Sequence, residues 1–170
     1  MARRAYAEGD VSLAKERYSD YDIVWEDAFP PEGKFDMIVL YHLMQQVPQS
    51  KVRGMLAKYA GMLNEGGELI VVVPSLDWAT TVLATTDEPP VMAFFSIYGP
   101  PNEQALCGFT LLMLRKLVES MDGLRVVYAR DEVYNVTIGE VTEQAHQNAI
   151  CARRVAQPWA QQSLAGEAIA

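Results

Sequence analysis

The chain has 170 residues, half of them hydrophobic and 21% charged, a balance that suits one soluble globular domain with a substantial core and excludes a disordered chain. Fourteen basic against twenty-two acidic residues give a net charge of -8, which disfavours a broad grip on nucleic-acid backbone. Cys107 and Cys151 have no CxxC partner or nearby histidine, so neither a metal centre nor a disulfide framework is expected. The longest strongly apolar run, "ELIVVVP", is too short to cross a bilayer, and "MARRAYAEGD" has no apolar stretch behind its basic start, so a cytoplasmic protein with no membrane partner is expected.

In chain order, "VSLAKERYS" predicts a short helix and "YDIVWEDAF" a strand that ends at Glu26-Asp27. After the turn "PPEG", "FDMIVLY" predicts a strand with little alternation, as expected when both faces are covered. Val52, Leu56, Tyr59 and Leu63 stand at helical spacing in the following segment, with Ser50 as N-cap and "NEGG" as the stop. "ELIVVVP" is the most hydrophobic strand. Residues 76–109 mix short apolar pieces with Pro and Gly and predict a partly helical insertion or lid.

"TLLMLRKLVESM" predicts a helix, "LRVVYARDEVYNVTI" a strand and "NAICARRV" a short final strand. His146, in "EQAHQNA", reads as surface on a polar connector. The alternation of strands and helices predicts an α/β domain over residues 1–155, a mainly parallel sheet flanked by helices and an antiparallel hairpin at one edge. Residues 156–170 read as a C-terminal tail.

The ordered set "DAF…FDMIVLYHLMQQV…MLNEGGELIVVVP", followed by "SIYG" and "FTLLMLRKLVESMDGLRVV", resembles the second half of a class I S-adenosylmethionine-dependent methyltransferase. The resemblance implies a Rossmann-like fold, S-adenosylmethionine as cofactor, and methyl transfer to an O, N or C nucleophile of an unknown acceptor in the cleft under residues 76–109. It assigns Asp27 as acceptor for the adenine amino group and the Ala28 backbone N–H to an adenine ring nitrogen. Leu40, Tyr41 and Met44 would line the methionine and adenosine pocket, and His42 and Tyr98 would meet the substrate. A carboxylate only accepts and an exocyclic amine donates, so the Asp27 role is chemically apt. Trp78, Phe94 and Phe95 either line the cleft with Tyr98 or form the insertion's own small core. Asp36, at a strand start, reads as structural.

Two features depart from the family pattern. No G-x-G precedes Asp27, where only Gly9 stands, and Gln46 replaces a histidine common in that segment. Glycine lets backbone approach a ligand closely, so the loop that normally follows the family's first strand is missing or replaced. Three arrangements follow: a fragment whose start lies upstream, N-terminal residues that rebuild the gap, or a complementing second chain or homo-oligomer. The alternative to an enzyme is a non-catalytic binding or scaffold subunit, with a partner protein in place of a small-molecule substrate.

Overall fold

The computed structural model describes residues 4–9, 22–24, 33–99, 104–138 and 140–156. Six strands form one sheet in the order β2-β1-β3-β4-β6-β5: β1 (Arg4–Gly9), β2 (Asp22–Val24), β3 (Phe35–Tyr41), β4 (Leu63–Pro74), β5 (Leu124–Ile138) and β6 (Val141–Arg154). β2, β1, β3 and β4 are parallel, while β6 runs antiparallel to both β4 and β5. The expected edge hairpin is therefore present.

β3 and β4 are buried on both faces, which is why neither alternates in polarity. Phe35, Ile38 and Leu40 of β3 join Leu69, Val71 and Val73 of β4 on one face. Against them pack Val52, Leu56 and Tyr59 of α1 (Gln49–Met62) and Leu114 and Val118 of α4 (Leu111–Glu119). Met37, Val39 and Tyr41 join Ile70, Val72, Ala149 and Cys151 on the opposite face, where Tyr128 packs. The period of two in side-chain direction produces this division.

The insertion folds as α2 (Leu76–Thr85) and α3 (Val91–Tyr98), in line with its expected helical character. Ser75 caps α2 by accepting from the Trp78 N–H at 3.3 Å, and Thr110 caps α4 by accepting from Met113 N–H at 3.1 Å. α1 departs from expectation: Pro48 is its N-cap and Ser50 lies inside its first turn, with no side-chain cap. Pro48, at φ −53°, leaves the helix to begin immediately after it, ahead of the serine.

The "NEGG" segment also differs. It belongs to β4, where the register slips between Phe35–Leu63 and Met37–Glu68 pairing. Gly66 takes the left-handed φ of +77°, and at Gly67 a Cβ would lie 2.9 Å from Asn64 O and 3.1 Å from Phe35 O. Asp36 accepts from Asn64 Nδ2 at 2.9 Å across this bulge, a structural role as expected.

β1 was not foreseen as a strand. It pairs directly with β3, Ala5 opposite Met37 through Gly9 opposite Tyr41, so N-terminal residues supply the neighbour that β3 would otherwise lack. Backbone pairing satisfies donors and acceptors that an unpaired edge would expose. The predicted helix over Val11–Ser19, the cofactor calls at Asp27 and Ala28, and all of the tail beyond Ala156 lie outside the described residues.

Candidate functional site

Open parallel sheets bind ligands outside the C-terminal ends of their strands. At that end of β3 the apolar run stops because the chain turns sharply. His42 adopts φ +52°, the sole non-glycine residue in the left-handed region among the described residues. Its N–H still donates to Val72 O at 2.9 Å, so the turn remains tied to β4, and the chain then enters a 3-10 turn over Met44–Gln46. Histidine tolerates this region better than most residues, yet such strain costs about 1 kcal/mol and persists where neighbours fix it.

Those neighbours form a polar ladder across the sheet. Gln147 of β6, 2% exposed, donates from Nε2 to Glu132 Oε2 at 3.1 Å. Its Oε1 accepts from the Tyr41 hydroxyl at 3.0 Å and lies 3.2 Å from His42 Nε2. An amide oxygen only accepts, so this contact calls for a proton on His42 Nε2. Glu132 in turn pairs with Arg130 at 2.7 Å, and Arg130 covers the Tyr128 ring at 4.8 Å. The Tyr41 and His42 rings lie 4.7 Å apart, and the Tyr134 ring lies 6.0 Å from that of His42.

His42 lines a cavity of about 250 Å³ between this strand end, α3 and the distal half of β5. Pro74, Met92, Phe95, Val136 and Ile138 supply apolar wall, and Gln45, Ser96 and Tyr134 supply polar groups. Burial, followed by the neighbouring Tyr41, pushes the Tyr134 hydroxyl up to about 12, so it is a proton donor throughout the physiological range. α3 is held over the cavity by Glu143 of β6, whose two carboxylate oxygens accept from Val91 N–H at 3.2 Å and Met92 N–H at 3.1 Å. A carboxylate at a helix N-terminus meets both unpaired N–H groups and the positive end of the helix dipole.

A larger open cleft of about 670 Å³ lies at the opposite end of the sheet, beside Leu124 and Arg154. Its arginines are already engaged: Arg53 with Ser120, and Arg154 with the carbonyls of Ala60 and Leu63. It faces the N-terminal ends of the parallel strands, away from the strained turn.

The structure brings the Tyr41 and His42 rings together, but His42 lines the cavity and Tyr41, 5% exposed, lies in the core behind it. Leu40 and Met44 are fully buried in the core beneath it, so only their backbone is placed to face a ligand. Tyr98 ends α3 at 67% exposure and is outside the cavity wall. Of the insertion aromatics, Phe95 lines the cavity, Phe94 is exposed, and Trp78 stacks on His146 with ring centroids 5.4 Å apart and planes at 10°.

His146 keeps the expected surface character, with a side chain 30% exposed, but not the expected connector. β6 begins at Val141, so His146 is a strand residue paired with Val133, and its Nδ1 lies 2.5 Å from Asp131 Oδ1. The alternating polar sequence is a strand because β5 covers its full length. Gln45, Tyr134 and Gln147 had no assigned role from sequence. Gln147 shares a strand face with buried Ala149 and Cys151.

No protein-family model matches the chain, and no curated protein matches it. Solved structures do. A protein solved in connection with the conversion of a disulfide bond into a thioacetal group during echinomycin biosynthesis aligns over 98% of this chain and 81% of its own, with a TM-score of 0.57 and 14% identity. The mitomycin 7-O-methyltransferase aligns over 91% of this chain and 49% of its own, TM-score 0.55, 13% identity, so the chain spans about half of that enzyme. Magnesium protoporphyrin IX methyltransferase from Synechocystis PCC 6803, solved with bound SAH, aligns over 90% of this chain and 74% of its own, TM-score 0.50, 12% identity. Likeness at these identities is a likeness of fold: the chain has the Rossmann-like α/β fold of the class I S-adenosylmethionine-dependent methyltransferases.

Proposed function

We propose that the chain is a methyltransferase domain that takes S-adenosylmethionine across the C-terminal ends of β1 and β3 and a methyl acceptor in the cavity under α3. The observation that carries this reading is the left-handed His42, which sits at the strand end and lines the cavity. It stands where a cofactor over the strand ends and an acceptor under α3 would meet.

The volumes support two compartments. About 250 Å³ is below the ~300–1,000 Å³ typical of sites that enclose a drug-sized ligand, so the cavity suits the acceptor and the larger cofactor lies beside it. Asp27 and Ala28 would hold adenine, and Tyr41 with the backbone of Leu40 and Met44 would border the methionine end. The cofactor, when bound, supplies an activated methyl on a sulfonium. The protein's own contribution is orientation and exclusion of water.

Isothermal titration with S-adenosylmethionine and S-adenosylhomocysteine tests the reading. No G-x-G precedes Asp27, and several close backbone contacts at about 1 kcal/mol each are expected to be lost. Affinity should therefore be a hundredfold or more weaker than with a glycine-rich loop, in the high-micromolar range or above (about tenfold for each 1.4 kcal/mol). Absence of saturable binding overturns the cofactor assignment; low-micromolar binding overturns the argument from the missing loop. Binding without methyl transfer to any acceptor is the outcome that identifies a non-catalytic binding subunit.

A further inference from the structure

The cavity under α3 lies between a helix and an overhanging strand, and both bring apolar side chains to it. Met92 and Phe95 come from α3, Val136 and Ile138 from β5, and Pro74 from the end of β4. Among the described lining residues there is no Asp, Glu, Lys or Arg. Polar side chains of the wall are largely engaged by the protein itself. Gln45 donates its amide nitrogen to the His42 carbonyl at 2.7 Å, and its oxygen has almost no exposed surface. Ser96 donates to Met92 O at 2.8 Å, and His42 Nε2 lies against Gln147 Oε1 at 3.2 Å. Burial, and after it the neighbouring Tyr41, pushes the Tyr134 hydroxyl up to about 12, so that group stays neutral.

A wall of this kind selects by charge and by size. A carboxylate, phosphate or ammonium group taken inside would be desolvated without a counter-charge, and the chain's net charge of -8 adds to the cost for an anion. Apolar surface gains by leaving water for such a wall. An apolar cavity of about 150 Å³ accepts benzene, so about 250 Å³ accommodates one substituted ring or two fused rings and is too small to enclose a peptide or nucleotide.

We infer that this cavity takes a small uncharged molecule of one or two fused rings, held by apolar contact and selected by its lack of charge. No hydrogen bond is needed to select it. Its binding stands on the cavity alone, while naming it the methyl acceptor rests on the proposed function. On that reading the acceptor presents a neutral oxygen, nitrogen or carbon nucleophile, and carboxylates and phosphates are not substrates.

The test uses the full chain at pH 8 without S-adenosylmethionine, and three probes built on one ring system: naphthalene, 2-naphthoate and 2-naphthylmethylammonium. Of the chain's two histidines, His42 lines the cavity and His146 does not, so their ring NMR signals separate binding here from binding elsewhere. The expected result is saturable naphthalene binding that shifts His42 and leaves His146 in place, with affinity about tenfold or more above either charged probe. Ala105→Phe fills the cavity from a lining position and should remove naphthalene binding. Ile138→Lys adds an ammonium at a lining position already 37% exposed, where folding tolerates it. It should weaken naphthalene and strengthen 2-naphthoate, narrowing the gap between them about tenfold. Absence of saturable naphthalene binding, shifts confined to His146, or a charged probe bound as tightly as naphthalene would each overturn the inference. So would naphthalene binding unchanged in Ala105→Phe, or an unchanged gap in Ile138→Lys. A chain that binds naphthalene in this way yet fails to bind S-adenosylmethionine refutes the proposed function and leaves this inference intact. A chain that binds S-adenosylmethionine but not naphthalene overturns the inference and leaves the cofactor assignment standing.

Discussion

Gln147→Leu removes the centre of the ladder that fixes His42. The leucine is close in volume, so packing is largely preserved and the change is one of hydrogen bonding. Gln147 makes two neutral contacts, from Tyr41 at 3.0 Å and His42 at 3.2 Å, and a third to the Glu132 carboxylate at 3.1 Å. Neutral bonds contribute about 1 kcal/mol each and one to a charged group about 1.5–3, a gross loss of about 3.5–5 kcal/mol. Burying a leucine at a 2% exposed position returns about 1.5–2 kcal/mol, leaving a net loss of about 2–3. For a chain of this length that is a fall in Tm of about 5–10 °C. Urea denaturation followed by circular dichroism at pH 7.5 measures the free energy, and a constant m-value confirms that the comparison is like with like. The same substitution should release His42 from its Nε2–H tautomer, seen as a change in its ring ¹⁵N shifts, while His146, held through Nδ1 by Asp131, stays as it is. A loss below about 0.5 kcal/mol with unchanged His42 shifts would show that the ladder does not hold the histidine.

Tyr134, raised from its ordinary value to about 12, favours the folded state fully below pH 10, and that stability is lost as pH rises through 12. Tyr134→Phe should therefore narrow its gap from the unmodified protein by on the order of 2 kcal/mol between pH 9 and 12, read from urea midpoints; a constant gap refutes the shift. Gly67→Ala should destabilise by about 2 kcal/mol, because the new Cβ would press on three backbone carbonyl oxygens that cannot rotate away; thermal melts with no loss would contradict the close approach. If adenosine binds as proposed, Asp27→Ala should weaken it by about 1–3 kcal/mol in calorimetric titration, and an unchanged affinity would place the nucleoside elsewhere.

β3 was legible from sequence because seven consecutive residues carry its signal and both faces are buried. α1 and α4 were legible from their apolar spacing. β1 was not: "RAYAEG" is rich in alanine and poor in β-branched residues, and its strand character comes from pairing with residues of β3 far along the chain. The first half of β6 was hidden for a related reason, since "VTEQAHQNA" is polar on both faces and its partner is the overhanging part of β5. Tyr41 and His42 stood out as the polar end of an apolar run. Gln147 and Tyr134 did not, because they meet His42 only through long-range sheet pairing, 105 residues away in the case of Gln147. Leu40 and Met44 carry the opposite lesson: a position in a motif fixes where the backbone passes, and the local parity of the strand decides whether the side chain reaches a ligand or the core.

β6 pairs with β4 only from Gln147 to Arg153, while its pairing with β5 runs on to Val141 and Ile138. The hairpin therefore extends beyond the sheet by six residues, about 20 Å at 3.3 Å per residue. Tyr134, Val136 and Ile138, which wall the cavity, all stand on this overhang, and Glu143, which holds α3, stands there too. One wall and the roof are thus mounted on the same cantilever. Bending it would move them together away from His42 while the parallel strands keep their hydrogen bonds, at the cost of the Ser75 N–H bond to His146 O and the Trp78–His146 stack. Local opening of this kind has its own, lower free energy than global unfolding. Faster amide exchange in residues 133–138 and 141–146 than in β3 and β4 is the outcome expected if the overhang opens on its own.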